Sequence, residues 1–250
     1  MKYGIIGFGN LGRSFASGLV KSGSAGQGEL FVCDLSPDAR VIAGREPYNA
    51  YATDDVNDVI SRSDAVFLAV KGYVFEELSK VVDRRAFAGK TVVSFMAGEP
   101  FEKIFSLIGE VDLVRVMPSL QISVCDGVLG YTKAPPALVA IFNKLGFAFE
   151  VTPDKIENVT AFSSCGLGFA AYLIDAFAAA GESMGFSPET AAHIASLTFK
   201  HAAGRGDFRE TVKAVTTPGG ATEQGVLHMD ACNTYDIVAQ AVNKAYERMR

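Results

Sequence analysis

The sequence has few of the residues that hold metal ions or cross-link a chain. It contains 3 histidines and 4 cysteines in 250 residues. Cys33, Cys125, Cys165 and Cys232 are far apart and form no CxxC pair, and no two histidines stand three or four positions apart. Neither a zinc site nor a disulfide framework fits such spacing. We therefore expect no metal cofactor, and reduced thiols of the kind found in cytoplasmic proteins.

Excess positive charge and uninterrupted apolar runs are lacking as well. The formal net charge is −5, with 20% charged and 49% hydrophobic residues, which indicates a soluble globular protein without a nucleic-acid or anionic-membrane partner. The N-terminus does not have the pattern of a signal peptide. The most apolar long stretch, Phe162 to Gly181, is interrupted by Asp175, and its alanines and glycines suit helix packing better than lipid.

A glycine-rich turn at the start of the chain gives the first functional signal. An apolar segment, Tyr3 to Ile6, runs into Gly7, Phe8, Gly9, Asn10, Leu11 and Gly12, and a helical pattern follows. In a dinucleotide site the first glycine makes the tight turn, the second admits the pyrophosphate, and the third lets helix and strand pack closely. This predicts a nucleotide site over these residues; the alternative is an ordinary glycine-rich turn.

An acidic residue follows the second apolar segment. Asp34 ends Leu30 to Asp34, at the distance from Gly12 where a Rossmann unit places the carboxylate that binds the adenosine ribose. Such an acid favours NADH over NADPH because it repels a 2′-phosphate. Arg40 and Arg45 follow and are able to fold back, so the cofactor preference stays open. Asp34 as the cap of a simple turn is the alternative interpretation.

Apolar segments alternate with helical patterns up to Pro153. Strands are predicted at 64–71, 91–96, 113–117, 128–132 and 147–152, with helices at 74–82, 100–107 and 136–145. This alternation predicts an α/β fold: an N-terminal Rossmann domain with a doubly wound, mostly parallel sheet. Ligands bind beyond the carboxyl ends of such strands. One crevice is therefore predicted to be lined by Gly7 to Gly12, Asp34, Ala69, Val70, Lys71, Met96 to Gly98, Met117 and Pro118.

Beyond Pro153 the pattern becomes entirely helical. Helices are predicted at 156–184, 188–204, 208–215 and 222–249. We expect two domains, residues 1–153 for dinucleotide binding and residues 154–250 for dimerisation and substrate binding. The second is all-helical, small and rich in alanine and glycine, which offers a limited core and close helix contacts. It is expected to form a homodimer.

A second motif lies late in this helical part. Pro218 ends the preceding element, Gly219 and Gly220 expose backbone N–H groups, and Thr222 opens the next helix. Free amides at a helix start, beside a hydroxyl, are suited to a carboxylate. The alternative is an ordinary capped turn between helices.

Together these motifs resemble those of the pyrroline-5-carboxylate reductase family. The similar pieces are Ile6-Gly-Phe-Gly-Asn-Leu-Gly12, Phe67-Leu-Ala-Val-Lys71, Ala97-Gly98, Arg115-Val-Met-Pro118 and, most specifically, Thr217-Pro-Gly-Gly-Ala-Thr222. They span essentially the whole chain. The resemblance implies reduction of the cyclic imine 1-pyrroline-5-carboxylate to proline, with NADPH or NADH as cofactor. It also implies a helical C-terminal domain that intertwines two subunits, and assemblies of such dimers occur in the family.

The resemblance also implies roles for particular residues. Gly7 to Gly12, Lys71, Ala97, Met117 and Pro118 would hold the cofactor. Gly219, Gly220 and Thr222 would hold the substrate, with Thr222 near the ring nitrogen as the catalytic residue. Hydride transfer to a protonated imine needs mostly alignment, so no general base is expected.

The chain departs from the family on the substrate side. Ser119-Leu-Gln121 replaces the usual Asn-Thr-Pro, and Gly72 replaces a proline. In Ser163-Ser-Cys-Gly-Leu-Gly-Phe169, the residues Cys165, Leu167 and Phe169 replace Ser, Pro and Tyr. Cys165 would be a wall of a more apolar pocket, which leaves another cyclic imine open as the substrate.

Two other functions remain open. One is a paralogue that binds the nucleotide without turnover and serves regulation. The other is a β-hydroxyacid-type dehydrogenase, a family that uses a lysine with an asparagine four residues later. Lys200 has Gly204 at that position, which disfavours the second alternative.

Overall fold

A single mixed sheet forms the centre of the N-terminal part. The computed structural model describes residues 1–249. Within them the sheet consists of β1 (Tyr3–Ile6), β2 (Leu30–Cys33), β3 (Tyr51–Thr53), β4 (Ala65–Leu68), β5 (Thr91–Ser94), β6 (Asp112–Pro118), β7 (Gly127–Tyr131) and β8 (Gly146–Glu150). The strand order is β3-β2-β1-β4-β5-β6-β7-β8, and only the described pair β6–β7 is antiparallel. The order reverses around β1, where a doubly wound sheet opens its ligand crevice.

Helices connect these strands and cover the sheet. They are α1 (Asn10–Lys21), α2 (Pro37–Ala43), α3 (Val56–Arg62), α4 (Gly72–Ser79), α5 (Phe101–Ile108), α6 (Pro136–Leu145) and α7 (Ile156–Val159). Short 3-10 helices lie at Arg84–Phe87, Leu120–Val124 and Pro153–Lys155, and a π-helical turn at Thr160–Ser164. Side chains mark where α2 and α3 begin: Ser36 Oγ accepts from the amide of Ala39, and the Asp55 carboxylate accepts from the amides of Asn57 and Asp58.

The apolar strands bury side chains on both faces of the sheet. Ile5 and Ile6 are neighbours in β1 and belong to different hydrophobic clusters, because successive strand residues point to opposite faces. On the Ile5 face, Phe15 of α1 stacks on Phe67 of β4 with ring centroids 4.4 Å apart. Burial of both faces accounts for the continuous apolar runs of β1, β2 and β4. The predicted doubly wound α/β fold is confirmed.

The C-terminal part is a separate all-helical unit. It comprises α8 (Cys165–Ser183), α9 (Pro188–Ala203), α10 (Phe208–Val215), α11 (Ala221–Ala231) and α12 (Thr234–Glu247). The chain divides into residues 1–164 together with Met249, and residues 165–248. The core of the second unit is small: Ala178, Ala191 and Ala195 are its buried hydrophobic residues, with Ile174 packed against them. The boundary expected at Pro153 lies before this division and stays a prediction.

The structure differs from the sequence expectation at several elements. The helix predicted over 222–249 is wrong as one element, since α11 and α12 are separated at Asn233, which has a left-handed φ of +52°. The helix predicted over 156–184 is divided by the π-helical turn into α7 and α8. β3, α2 and α3 were not predicted, because three to seven residues are too few for a periodic pattern to stand out.

By length and composition alone, one described stretch resembles a membrane span. Residues Pro153–Ser183 reach a mean hydropathy of 1.4, and 11% of the most apolar window is buried. The stretch includes the π-helical turn and Asp175 of α8. An apolar helix surface of this kind is also what a helix needs in order to pack against another protein chain.

Candidate active site

The turn after β1 requires glycine at positions 7 and 12. Gly7 has a φ of +95°, and a Cβ placed on it would lie 2.7 Å from the carbonyl oxygen of Ala69. A Cβ on Gly12 would lie 2.1 Å from the carbonyl oxygen of Gly7. The backbone of α1 therefore approaches β1 more closely than a side chain permits. This is the local geometry that the sequence motif predicted.

The start of α1 is open to an anion. Gly9 is the N-cap and supplies no side-chain hydrogen bond, and the first turn contains no acidic residue. A Cβ on Gly9 would meet nothing within 4 Å, and Gly9 and Asn10 are exposed. The first-turn amides and the helix dipole are thus available to a phosphate group. The residues present fit the pyrophosphate of a dinucleotide.

Asp34 is anchored by backbone amides from two directions. Its Oδ2 accepts from the N–H of Phe8 at 2.7 Å, and its Oδ1 accepts from the N–H of Ser36 at 2.8 Å. A carboxylate has about four acceptor positions, so positions remain for the two ribose hydroxyls. Arg40 does fold back, but its Nη1 donates to the carbonyls of Asp34 and Leu35 at 2.8 and 3.0 Å. The Arg40 guanidinium is therefore already hydrogen-bonded to the backbone that follows β2.

The predicted cofactor residues meet at one edge of the sheet. They follow the carboxyl ends of β1, β2, β4 and β5, while Met117 and Pro118 extend β6 beyond its pairing with β5. Gly9, Asn10, Lys71 and Ala97 are exposed there, whereas Phe8, Met117 and Pro118 are buried. Their assignment to the cofactor stays a prediction.

A buried ion pair lies beneath this edge and was not predicted from the sequence. Arg115 of β6 donates through Nη2 to Oε1 of Glu157 at 2.6 Å and to the carbonyl of Met96 at 2.9 Å. The N–H of Gly98 donates to the same Oε1 at 3.0 Å. A signal was available in the sequence, because an arginine inside an apolar strand requires a buried counter-charge.

Gly72 stands where the family usually has a proline, and a glutamate side chain occupies the space beside it. The carboxyl group of Glu99 fills the space in which a Cβ of Gly72 would lie. Its Oε2 is 2.9 Å from Nζ of Lys103, which also reaches Glu76 at 2.6 Å. Because Gly72 is the first residue of α4, Glu99 brings a negative charge to the start of that helix, where it is favourable.

The second motif forms a tight turn whose amides are already bonded. Gly219 has a φ of +72°, and its N–H donates to Oε2 of Glu223 at 2.8 Å. The N–H of Gly220 donates to the carbonyl of Thr217 at 2.8 Å. Thr222 lies in the first turn of α11 and is exposed. The motif therefore forms a turn, and a carboxylate of the chain itself occupies one of its donors. Its role as a substrate site stays a prediction.

The structure also shows the surroundings of the residues that differ from the family pattern. Ser119 is 6% exposed, and its Oγ accepts from the amide of Val128, so this hydroxyl faces the sheet. Leu120 is exposed at the start of the following 3-10 helix. Cys165 is half-buried and is the first residue of α8. The cofactor set belongs to the first unit, and Cys165 with Thr222 belongs to the second.

The thiols and histidines provide little else at these sites. Burial and the nearby carboxylates of Asp34, Asp55 and Asp54 raise the pKa of the Cys33 thiol to about 12, so this cysteine stays protonated and unreactive. In residues 1–249, no group of three or more His, Cys, Asp or Glu side chains is placed to hold a metal ion. His228 and Cys232 are in contact on one helical face, with Nε2 and Sγ 3.7 Å apart.

Comparisons with known proteins agree over the whole chain. A family model described as pyrroline-5-carboxylate reductase dimerisation matches residues 153–250, and one described as NADP oxidoreductase coenzyme F420-dependent matches residues 2–98. The pyrroline-5-carboxylate reductase of Aquifex aeolicus (strain VF5) is 30% identical over 264 residues, which cover 100% of this chain and 97% of that protein.

Solved structures share the fold. The pyrroline carboxylate reductase of Plasmodium falciparum with NADP bound has a TM-score of 0.86 at 21% identity, covering 100% of this chain and 97% of that one. The 1-pyrroline-5-carboxylate reductase of Streptococcus pyogenes has a TM-score of 0.87 at 21% identity, covering 100% and 98%.

Proposed function

Because the chain belongs to the pyrroline-5-carboxylate reductase family, we propose that it reduces 1-pyrroline-5-carboxylate to proline with NADH or NADPH. The chain is an NAD(P)H-dependent oxidoreductase that acts on a cyclic imine. The observation that carries the proposal is the open, uncapped start of α1 beside the glycine turn, since it offers unpaired amides to a dinucleotide. A bound NAD(P)H would supply the hydride that reduces the protonated C=N group to a secondary amine, and would itself be oxidised to NAD(P)⁺.

The residues of the first unit hold and orient the cofactor. The amides at the start of α1 bind the pyrophosphate, and Asp34 accepts from the ribose hydroxyls. The carboxylate of Asp34 would repel a 2′-phosphate, and Nη1 of the nearby Arg40 is already bonded to the carbonyls of Asp34 and Leu35. The adenosine end therefore favours NADH within the proposal.

The turn before α11 holds the substrate. The hydroxyl of Thr222 orients the ring nitrogen, and the Gly219 amide binds the carboxylate, while the Gly220 amide holds the shape of the turn through its bond to the Thr217 carbonyl. Since the Gly219 amide is bonded to Glu223, an incoming carboxylate has to displace the Glu223 side chain. This adds a cost to substrate binding and raises KM.

Oxidation of NADH and NADPH with defined imines tests the proposal. The panel contains 1-pyrroline-5-carboxylate, pyrroline-2-carboxylate and piperideine carboxylates, with cofactor binding measured separately by fluorescence. We expect the highest kcat/KM with 1-pyrroline-5-carboxylate. Turnover of another imine alone would contradict the proposal that 1-pyrroline-5-carboxylate is the substrate. It would indicate a relative of the family with altered specificity. Cofactor binding without any turnover would contradict the enzyme function.

A second candidate, a nucleotide-binding paralogue without turnover, draws on two observations. The substrate-side turn is filled by the carboxylate of Glu223, and the Ser119 hydroxyl is directed into the sheet. The same assay panel separates this candidate from the enzyme. The β-hydroxyacid-type alternative is weakened because Gly204, which takes the place of the required asparagine, is the C-cap of α9.

We further propose that the second unit forms a homodimer in the cytoplasm. The region matched by the dimerisation family model, residues 153–250, carries many large exposed apolar side chains, among them Tyr172, Phe177, Leu227 and Tyr235. A second copy of the chain is the partner that covers them. The four free cysteines fit a reducing compartment.

A further inference from the structure

The carboxylate of Glu157 connects three backbone segments at the cofactor edge. Glu157 lies on α7, within the region that matches the dimerisation family model. Its Oε1 accepts from the Gly98 amide at 3.0 Å and from Arg115 Nη2 at 2.6 Å. The same Nη2 donates to the Met96 carbonyl at 2.9 Å. The turn at 96–98 is therefore held at its first carbonyl and at its last amide.

This pair is poorly suited to stabilising the fold. The side chains of Arg115 and Glu157 are 4% and 15% exposed. Among the described residues, Arg115 Nε, Glu157 Oε2 and Thr160 Oγ1 are buried without a hydrogen-bond partner. A buried pair with unsatisfied atoms is commonly no more stable than an apolar replacement of the same size. What this arrangement supplies is the geometry of the turn.

The geometry of this turn is important because of its neighbours. It follows β5, which pairs with β4 and β6, and the predicted cofactor residues Lys71, Met117 and Pro118 lie at the ends of those strands. Ala97, at the centre of the turn, is exposed, and Gly98 has a left-handed φ of +74°. A displacement of ~1 Å at a reacting centre can lower a rate about 100-fold.

We propose that Glu157 is a positioning residue for hydride transfer, which fixes the 96–98 turn through the Gly98 amide and through Arg115 so that the nicotinamide ring is held in the orientation that the transfer requires. The proposal rests on the proposed function. Glu157 does not touch the reacting atoms, and its contribution is to kcat rather than to the affinity for the adenosine end of the cofactor.

Glu157→Gln tests this assignment, since it keeps an acceptor for Gly98 and leaves the Arg115 cation without a counter-charge. The matched control is Glu150→Gln, an exposed glutamate on β8 of the same unit. Steady-state kinetics are measured with NAD(P)H and with its analogue deuterated at the transferred position. For Glu157→Gln we expect kcat to fall about 10- to 100-fold, KM for NAD(P)H to change by less than about threefold, and the isotope effect to rise. The control should match the wild type.

A purely structural role predicts a different result. Loss of folded enzyme lowers activity in proportion to the folded fraction and leaves the isotope effect unchanged, and that outcome would overturn the proposal. If Glu157→Gln does not fold, Glu157→Asp carries the test. It keeps the charge but is too short to reach Gly98 and Arg115 together, so a smaller fall in kcat with a raised isotope effect is expected. An unchanged isotope effect in this variant is equally decisive against the proposal.

A measurement without turnover separates this inference from the proposed function. If the wild type binds NADH but reduces no imine, the proposed function fails, while the fluorescence of the bound nicotinamide still reports on its surroundings. Glu157→Gln is expected to change the emission of NADH at saturation with little change in Kd. Identical emission from wild type and variant would contradict positioning.

Discussion

At the scale of single residues, Thr222 is the side chain with the most specific predicted role. It lies in the first turn of α11 and is exposed. Thr222→Ala should lower kcat/KM for the imine about 10- to 100-fold, the range expected for one lost hydrogen bond to a charged group. NAD(P)H binding should persist. Steady-state assays with a separate cofactor titration measure both quantities.

The matched control for Thr222 is Thr198→Ala. Thr198 is an exposed threonine of α9 in the same unit, and its Oγ1 donates to the Ile194 carbonyl. This variant should keep wild-type turnover. Equal activity of the two variants would remove Thr222 from the site.

Asp34 determines the second prediction at this scale. Its two oxygens already accept backbone N–H groups, which keeps the carboxylate in place to repel a 2′-phosphate. Asp34→Asn should raise the ratio of kcat/KM for NADPH over NADH by about tenfold or more, equivalent to ~1.4 kcal/mol. The control Asp38→Asn removes an exposed carboxylate from α2 and should leave the ratio unchanged. A wild type that prefers NADPH would refute this account.

Spacing in the sequence predicted some site residues and missed others for a physical reason. Gly7 and Gly12 are recognisable in the sequence because both are required by the conformation of one local turn. Glu157 is not, since its partners Arg115 and Gly98 lie 42 and 59 positions away. The hydrogen bond between Glu223 and Gly219 spans only four residues, but a helix-capping glutamate is too common to be noticed by its spacing.

At the scale of elements, the turn between β1 and α1 gives a matched pair of variants. Gly12→Ala places a Cβ 2.1 Å from a backbone carbonyl, whereas Gly9→Ala places one in open space. Gly12→Ala should therefore lower the free energy of unfolding by about 1–3 kcal/mol or more. Gly9→Ala should fold normally and weaken NAD(P)H binding. Thermal melts and cofactor titrations of both proteins test the distinction, and two variants with the same profile would contradict it.

Elements with a strong local sequence signal were predictable, and elements defined by tertiary contacts were not. β1 and α10 have the predicted bounds, and the helix predicted over 136–145 is α6. The three-residue β3 is defined by its pairing with β2, a tertiary interaction that no local pattern reveals. The division between α11 and α12 depends on the left-handed conformation of Asn233. An asparagine within a helical pattern does not by itself predict that conformation.

At the scale of the whole molecule, the second unit determines how the chain behaves in solution. With three buried alanines as its buried hydrophobic core, this unit gains little stability as a single copy. The melting temperature should therefore rise with protein concentration, as expected when folding is linked to association. Calorimetry over a dilution series, beside analytical ultracentrifugation, measures this dependence. A monomer with a constant melting temperature would contradict the proposed homodimer.

A substitution on α8 tests the same assembly. Tyr172→Glu adds a charge to a side chain that is 74% exposed, and Val81→Glu does the same at a 65% exposed residue of the first unit. The first change should shift the protein toward monomers, because a buried unpaired charge is costly. The second should leave the dimer intact.

The position of β1 has a consequence for the synthesis of the protein. This strand is synthesised before both of its neighbours, yet it lies between β2 and β4 in the finished sheet. One edge is completed when Leu30–Cys33 arrives, and the other stays unpaired until Ala65–Leu68 has been made. An apolar strand with an open edge is prone to pair with other chains. The nascent chain is thus most prone to aggregate early in translation, before β4 is available to pair with β1.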